Sequence, residues 1–192
     1  MGSQAASKKM TFITIGYIEW RKGQDILVDA VLQLPEEFLD KAAFLLVGQD
    51  SSLMAKELAE RISNIGNIKM VGTVSREEVH RLLEDSDAMI CPSREDPMPT
   101  VCAEGMMHHI PCLISDATGT SAYIRDGYDG LVFKSESVEE LKEKIIWCIQ
   151  HRDKLGEMGN RAYEIYEKIF SESAFEQNLL MHVEEMIGKA DG

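Results

Sequence analysis

The sequence has no G-x-G-x-x-G run anywhere. That argues against an ordinary dinucleotide-binding fold, in which the pattern follows the first strand. No apolar run approaches the roughly 20 residues that span a bilayer. The N-terminus lacks the basic-then-apolar form of a signal peptide, so a soluble chain is expected. Positive charge is scarce: 20 Lys and Arg stand against 33 Asp and Glu, a formal net charge of −13. A phosphate-backbone partner needs a basic surface, so no nucleic-acid partner is expected. Cys91, Cys102, Cys112 and Cys148 form no C-x-x-C pair and have no His at ligand spacing. Neither a disulfide framework nor a zinc site is indicated, and a reducing cytoplasm fits that usage. Internal repeats, low-complexity tracts and long linkers are also missing.

What is present suits one domain, because 192 residues with 44% apolar content can bury one sizeable core. Residues 1–10 are mostly small and polar and read as a tag or disordered leader, leaving 11–192 as the domain with a C-terminal helical extension. Apolar runs of strand length fall at 12–15, 43–47, 68–71, 88–91, 111–115 and 131–133. Helical patterns lie between them: Ile26, Leu27, Ala30, Val31 and Leu34 recur at helical spacing before Pro35, and segments 53–65, 77–83 and 100–107 fill later gaps. Continuous apolar character in the strands points to an α/β fold, a doubly wound parallel sheet of about six strands, with ligands bound beyond the strand C-terminal ends.

After Phe133 only helices are expected. Val138, Leu141, Ile145 and Cys148 make one stripe, and Leu155, Met158, Ala162, Ile165 and Ile169 another. A last helix at 172–189 carries two stripes: Phe175, Leu179, His182 and Met186, and Leu180, Val183 and Ile187. That is more apolar surface than a one-sided helix needs. The eleven methionines read as core filler.

The segment Pro92-Ser93-Arg94-Glu95-Asp96-Pro97-Met98-Pro99-Thr100-Val101-Cys102-Ala103-Glu104 carries the chemistry. A buried strand delivers an acidic, proline-rich loop to a helix N-terminus, whose unpaired N–H groups and dipole can hold a diphosphate. Asp96 and Glu104 bracket it with carboxylates suited to sugar hydroxyls, and together these features suggest a nucleotide-sugar.

Five motifs then fall in order at the expected strand ends: Gly16-Tyr17-Ile18-Glu19-Trp20-Arg21-Lys22-Gly23, Leu46-Val47-Gly48, Val71-Gly72-Thr73-Val74, the Pro92–Glu104 segment followed by Pro111, and Asp126-Gly127-Tyr128-Asp129-Gly130-Leu131-Val132. Over about 11–170 the chain resembles the C-terminal, donor-binding domain of GT-B glycosyltransferases of the family-four retaining group. The resemblance implies that Glu104, matching the second acid of an E-x7-E motif, binds the ribose hydroxyls. A carboxylate can accept from two vicinal hydroxyls at once. The first acid, which holds a donor-sugar hydroxyl, is either Asp96 in register or Glu95 one residue early. By the same resemblance, Lys22 is expected to neutralise the departing diphosphate. Tyr17 stands where relatives often carry Arg, so Arg21 either supplies a second charge or none is present. Met98, Pro99, Thr100 and Val101 lie where relatives offer backbone N–H groups; Pro99 offers none but can pre-set the first helical turn. Gly16 and Gly23 serve as turn and close-approach positions.

Two departures from the family pattern are His109, at a left-handed position usually held by glycine, and Ala122, where many relatives have Glu. Each assigned residue also has a plain structural alternative: Glu104 as a solvent-facing helix Glu, Asp96 as a cap, Arg21 and Lys22 as the start of a surface helix. Asp85-Ser86-Asp87 looks like the metal-binding D-x-D of GT-A enzymes, but it ends a helix and enters a strand from the face away from the ligand. No metal and no cofactor are expected. His80, His108, His151 and His182 read as packing or surface residues.

The implied activity is transfer of a hexose-type sugar from an NDP-sugar, UDP favoured, to a saccharide or lipid acceptor. Lys22, Asp96 and Glu104 are the residues expected to carry it. The implied partner is an N-terminal acceptor domain that this sequence lacks, so the chain alone is expected to be inactive. A non-catalytic nucleotide-sugar or protein-binding module and half of a nucleotide-sugar epimerase are the alternatives.

Overall fold

The computed structural model describes residues 8–177 and 179–181. The apolar runs become β1 (Met10–Ile15), β2 (Ala42–Val47), β3 (Ile68–Gly72), β4 (Ala88–Cys91), β5 (Cys112–Ser115) and β6 (Leu131–Phe133). All pair in parallel, in the order β3-β2-β1-β4-β5-β6. The chain winds outward in both directions from β1 and β4, so a crevice opens at their carboxyl ends.

The helices are α1 (Gln24–Leu32), α2 (Glu36–Leu39), α3 (Leu53–Ile62), α4 (Arg76–Glu84), α5 (Thr100–Met107), α6 (Val138–Gln150) and α7 (Arg152–Ile165). Successive strand residues point to opposite faces, and here both faces are covered. Phe12, Phe44, Ile90 and Leu113 pack with α1, α3 and α6 on one side, while Ile13, Val47, Met89 and Ile114 pack with α4, α5 and α7 on the other. The rings of Phe12 and Phe44 stack with centroids 5.1 Å apart. Each such fully buried side chain contributes roughly 1.5–3 kcal/mol. Ser52, Ser75 and Ser137 cap α3, α4 and α6 by accepting from Ala55, Glu78 and Glu140 backbone N–H groups.

The structure departs from the sequence reading in a few places. Met10, assigned to the leader, opens β1: it is buried and donates its N–H to the Lys41 carbonyl at 2.7 Å. Pro35 stops α1 but at once caps α2, a short helix the periodicity did not reveal. The α7 stripe holds through Ile165; a π-helical turn at Tyr166–Phe170 then changes the phase, and Ile169 emerges 37% exposed. Of the last helix, 172–177 and 179–181 are helical, with Phe175, Leu179 and Leu180 exposed. His182, Val183, Met186 and Ile187 lie outside the described residues.

α5 ends as expected on His109, at φ 57. Its N–H bonds the Met106 carbonyl and the Ile110 N–H reaches back to Gly105, closing a Schellman turn.

Candidate functional site

At the carboxyl end of β1 the chain turns through Gly16 and Tyr17 into a 3-10 turn, Trp20–Lys22. Gln24, buried at the start of α1, donates to the Tyr17 carbonyl at 2.9 Å and fixes this loop from below. Gly23, at φ 70, is needed for close approach: a Cβ there would sit 2.0 Å from the Pro92 carbonyl oxygen. The first loop is thereby pressed against the second, which leaves β4 at Pro92. The second loop is pinned further along, where a Cβ on Gly119 would meet the Pro97 oxygen at 1.8 Å and the Gly119 N–H donates to the Asp96 carbonyl at 2.9 Å.

The two loops bring Lys22 Nζ to 2.5 Å from Asp96 Oδ2, with the side chains only 19% and 9% exposed. Glu95 points outward and is exposed, so of the two acids left open by the spacing, Asp96 is the one turned into the site. Arg21 is not aimed at this centre. Its guanidinium lies on the surface, paired with Glu19 at 3.3 Å, while its backbone carbonyl accepts from the Arg94 N–H.

Beyond Asp96 the chain enters α5. Pro99 is the N-cap, where the sequence reading had it pre-setting the first turn; its carbonyl accepts from Cys102 and no side chain caps this end. Among the described residues the N–H groups of Thr100 and Val101 have no acceptor, at a positive helix end. Met98 is half exposed, with its sulfur 3.6 Å from the Thr120 hydroxyl. Glu104 lies one turn into α5, partly buried. Among the described residues no hydrogen bond or ion pair engages its carboxylate.

On the other side of Gly16 lies a cleft of about 270 Å³, lined by Ile15, Tyr17, Val47, Gln49, Val74 and Val79 among others. The sequence reading placed the Val47-Gly48 and Thr73-Val74 motifs at strand ends without assigning them a role. Their common position beyond β2 and β3 was the signal that could have found this cleft.

These features form an edge with a fixed cation, an open helix N-terminus, two differently placed acids and an apolar cleft of heterocycle size. A family model, glycosyl transferases group 1, matches residues 2–165. The chain belongs to this family. An uncharacterized glycosyltransferase of Methanocaldococcus jannaschii is 27% identical over 154 residues, covering 80% of this chain and 42% of its own length. The D-rhamnosyltransferase WbpZ of Pseudomonas aeruginosa is 28% identical over 165 residues, covering 83% of this chain and 41% of its own length. The chain thus spans under half the length of these curated relatives. The Anabaena protein HepE, solved in complex with UDP and glucose, shares the fold of this group 1 domain with a TM-score of 0.81 at 22% identity, over 93% of this chain and 49% of that one.

The Asp85-Ser86-Asp87 run lies at the opposite end of the sheet. Asp85 ends α4, and Asp87 accepts from the Thr11 N–H at 2.8 Å and from Arg152 at 2.9 Å. Ala122 is exposed on a 3-10 turn, Gly119–Tyr123.

His80 and His108 were read as packing or surface residues, and the structure adds a contact between the two. They pair, Nδ1 to Nε2 at 2.8 Å, across α4 and the end of α5 beside Glu84. Burial, and then the neighbouring His80, hold His108 below its ordinary pKa, against the opposing pull of Glu84 and Glu104.

No helix among the described residues is long and apolar enough to cross a membrane.

Proposed function

We propose that this chain is the donor-binding half of a retaining GT-B glycosyltransferase that moves a hexose-type sugar from an NDP-sugar, UDP favoured, to a saccharide or lipid acceptor. The observation that carries the proposal is the Lys22–Asp96 pair, held at 2.5 Å directly before an uncapped α5. In the free protein Asp96 holds Lys22 in place. A diphosphate on α5 competes for the lysine, and the freed carboxylate of Asp96 then accepts from a hydroxyl of the donor sugar. Glu104 takes the ribose hydroxyls, and the cleft beside Gly16 takes the base.

Charge develops on the departing diphosphate as the glycosidic bond breaks through an oxocarbenium-like transition state. Lys22 and the Thr100 and Val101 N–H groups stabilise that charge without moving, which is the efficient form of electrostatic catalysis. They supply this stabilisation with no metal. The acceptor site belongs to an N-terminal partner domain, and residues 10–192 form the donor domain. The UDP in the HepE complex and the rhamnosyl transfer in the name of WbpZ support a nucleotide-linked hexose.

Calorimetry of the chain with UDP, GDP, ADP and uridine, with and without EDTA, tests the reading. UDP is expected to bind in EDTA and more tightly than uridine. No binding of any nucleotide at millimolar concentration by folded protein would refute it, and binding only with a divalent cation would refute the metal-independent form.

A further inference from the structure

Arg94 makes more directed contacts than any other side chain near the site, and none of them is to the ligand edge. Its guanidinium grips Asp25 with two bonds of 2.9 and 2.7 Å, reaches Glu136 at 2.9 Å and donates to the Trp20 carbonyl at 2.6 Å. It also lies 4.8 Å from the Trp20 ring centroid, and its own backbone N–H bonds the Arg21 carbonyl at 2.8 Å. The side chain is 11% exposed. Burial pushes the Asp25 carboxyl up, but the hydrogen bonds and charge of Arg94 outweigh this and leave it below its ordinary value.

We propose that Arg94 is the positioning residue of the donor site, clamping the turn that carries Lys22 to the loop that carries Asp96 at the spacing a diphosphate requires. This rests on the donor-binding reading. Arg94 lies two residues before Asp96, and its contacts fall on both sides of Lys22: on Trp20 and Arg21 before it, and on Asp25 after it. One side chain therefore fixes both loops from behind, while Gly119 holds the Asp96 loop at its far end. The planar fork suits this task, because it bonds a carboxylate bidentately and still has donors to spare, which an ammonium does not. Without it the loops sample several spacings, and a diphosphate must order them as it binds.

The test combines amide hydrogen exchange of the ligand-free chain with calorimetry on the parent, Arg94→Met, Arg94→Lys and Asp25→Asn. In Arg94→Met, exchange at residues 94, 96 and 119 should rise while β1 and β4 stay protected. UDP should weaken about tenfold, the scale of ordering one or two extra side chains, and uridine by less than about twofold. Asp25→Asn should reproduce the pattern and remains informative if Arg94→Met fails to fold. Arg94→Lys should lie nearer Met than Arg. Unchanged exchange, unchanged UDP binding, or equal weakening of UDP and uridine would overturn the clamp. If the parent binds no UDP, the donor reading fails by itself, and the exchange data still decide whether Arg94 couples the loops.

Discussion

Lys22 and Asp96, 74 positions apart, form an ion pair of 2.5 Å that is mostly shielded from water. Removing one partner strands the other. Lys22→Met should destabilise the chain by roughly 2–3 kcal/mol, somewhat below the cost of stranding a fully buried charge, because Lys22 remains a fifth exposed. Adding Asp96→Leu should recover much of that loss. Urea unfolding of the two single variants and the double variant checks both statements.

Glu104 and Lys22 should separate by ligand. Glu104→Ala is expected to weaken uridine and UDP alike by roughly 1–3 kcal/mol, the size of a lost charge-assisted hydrogen bond. Lys22→Ala should weaken only phosphate-bearing ligands, and more at low ionic strength. Equal losses for both ligands in both variants would show that the two residues do not divide the donor between them; melting curves control for damage to the fold.

His108 gives the fold an acid-sensitive joint between α4 and α5. Its native pKa is held below the ordinary value of 6.5 by burial and then by His80, with Glu84 and Glu104 pulling the other way and His109 adding to the depression. On acidification the unfolded chain takes up the proton first. Its contribution to stability is therefore fully present above about 6.5 and is lost as pH falls toward the native value. Melting temperatures between about pH 5.5 and 7.5 should decline toward acid, and His108→Gln should flatten that slope.

All four cysteines are free and buried. Burial pushes the Cys148 thiol up to about 12, so it carries almost no thiolate at neutral pH. Ellman's reagent should find no thiol in the native protein and four in denaturant. Prompt labelling of native Cys148 would contradict its place on the buried face of α6.

The two-domain reading predicts binding without turnover. The chain should hold UDP yet transfer no sugar, because in that reading placing the acceptor hydroxyl against the anomeric carbon and excluding water fall to the N-terminal domain. Assays with radiolabelled UDP-sugars, set beside a version bearing an N-terminal acceptor domain, decide this; transfer by the 192-residue chain alone would refute it.

The sequence reading came close to the fold because the strands are buried on both faces and so stand out as apolar runs; β4, β6 and α5 fall at their expected bounds. What it missed lay in short or irregular backbone, such as α2 and the π-helical turn, where there is too little periodicity to read. At the site, residue types beside a helix N-terminus pointed to Asp96 and Glu104, the family resemblance pointed to Lys22, and the structure adds the contact between Lys22 and Asp96. The choice of Asp96 over Glu95 and the surface placement of Arg21 both depend on loop packing, in which residues distant in sequence decide where a side chain points. Arg94 went unnoticed for the same reason: its partners Asp25 and Glu136 are 69 and 42 positions away.

Asp87 fastens the amino ends of β1 and β4 to Arg152 at the rim opposite the ligand edge. On the donor-binding reading, anchorage and recognition therefore occupy opposite rims of one sheet. If the donor-binding reading holds, loops grafted at 16–23 or 92–99 should alter which donor is accepted while this fastening keeps the strands in register, provided each graft retains the Gly23 approach and the Arg94 grip. The same division makes the exposed surface around the Asp87 rim, with the Asp87–Arg152 pair left intact, a suitable place for a spectroscopic label or a surface tether, far from the proposed donor edge.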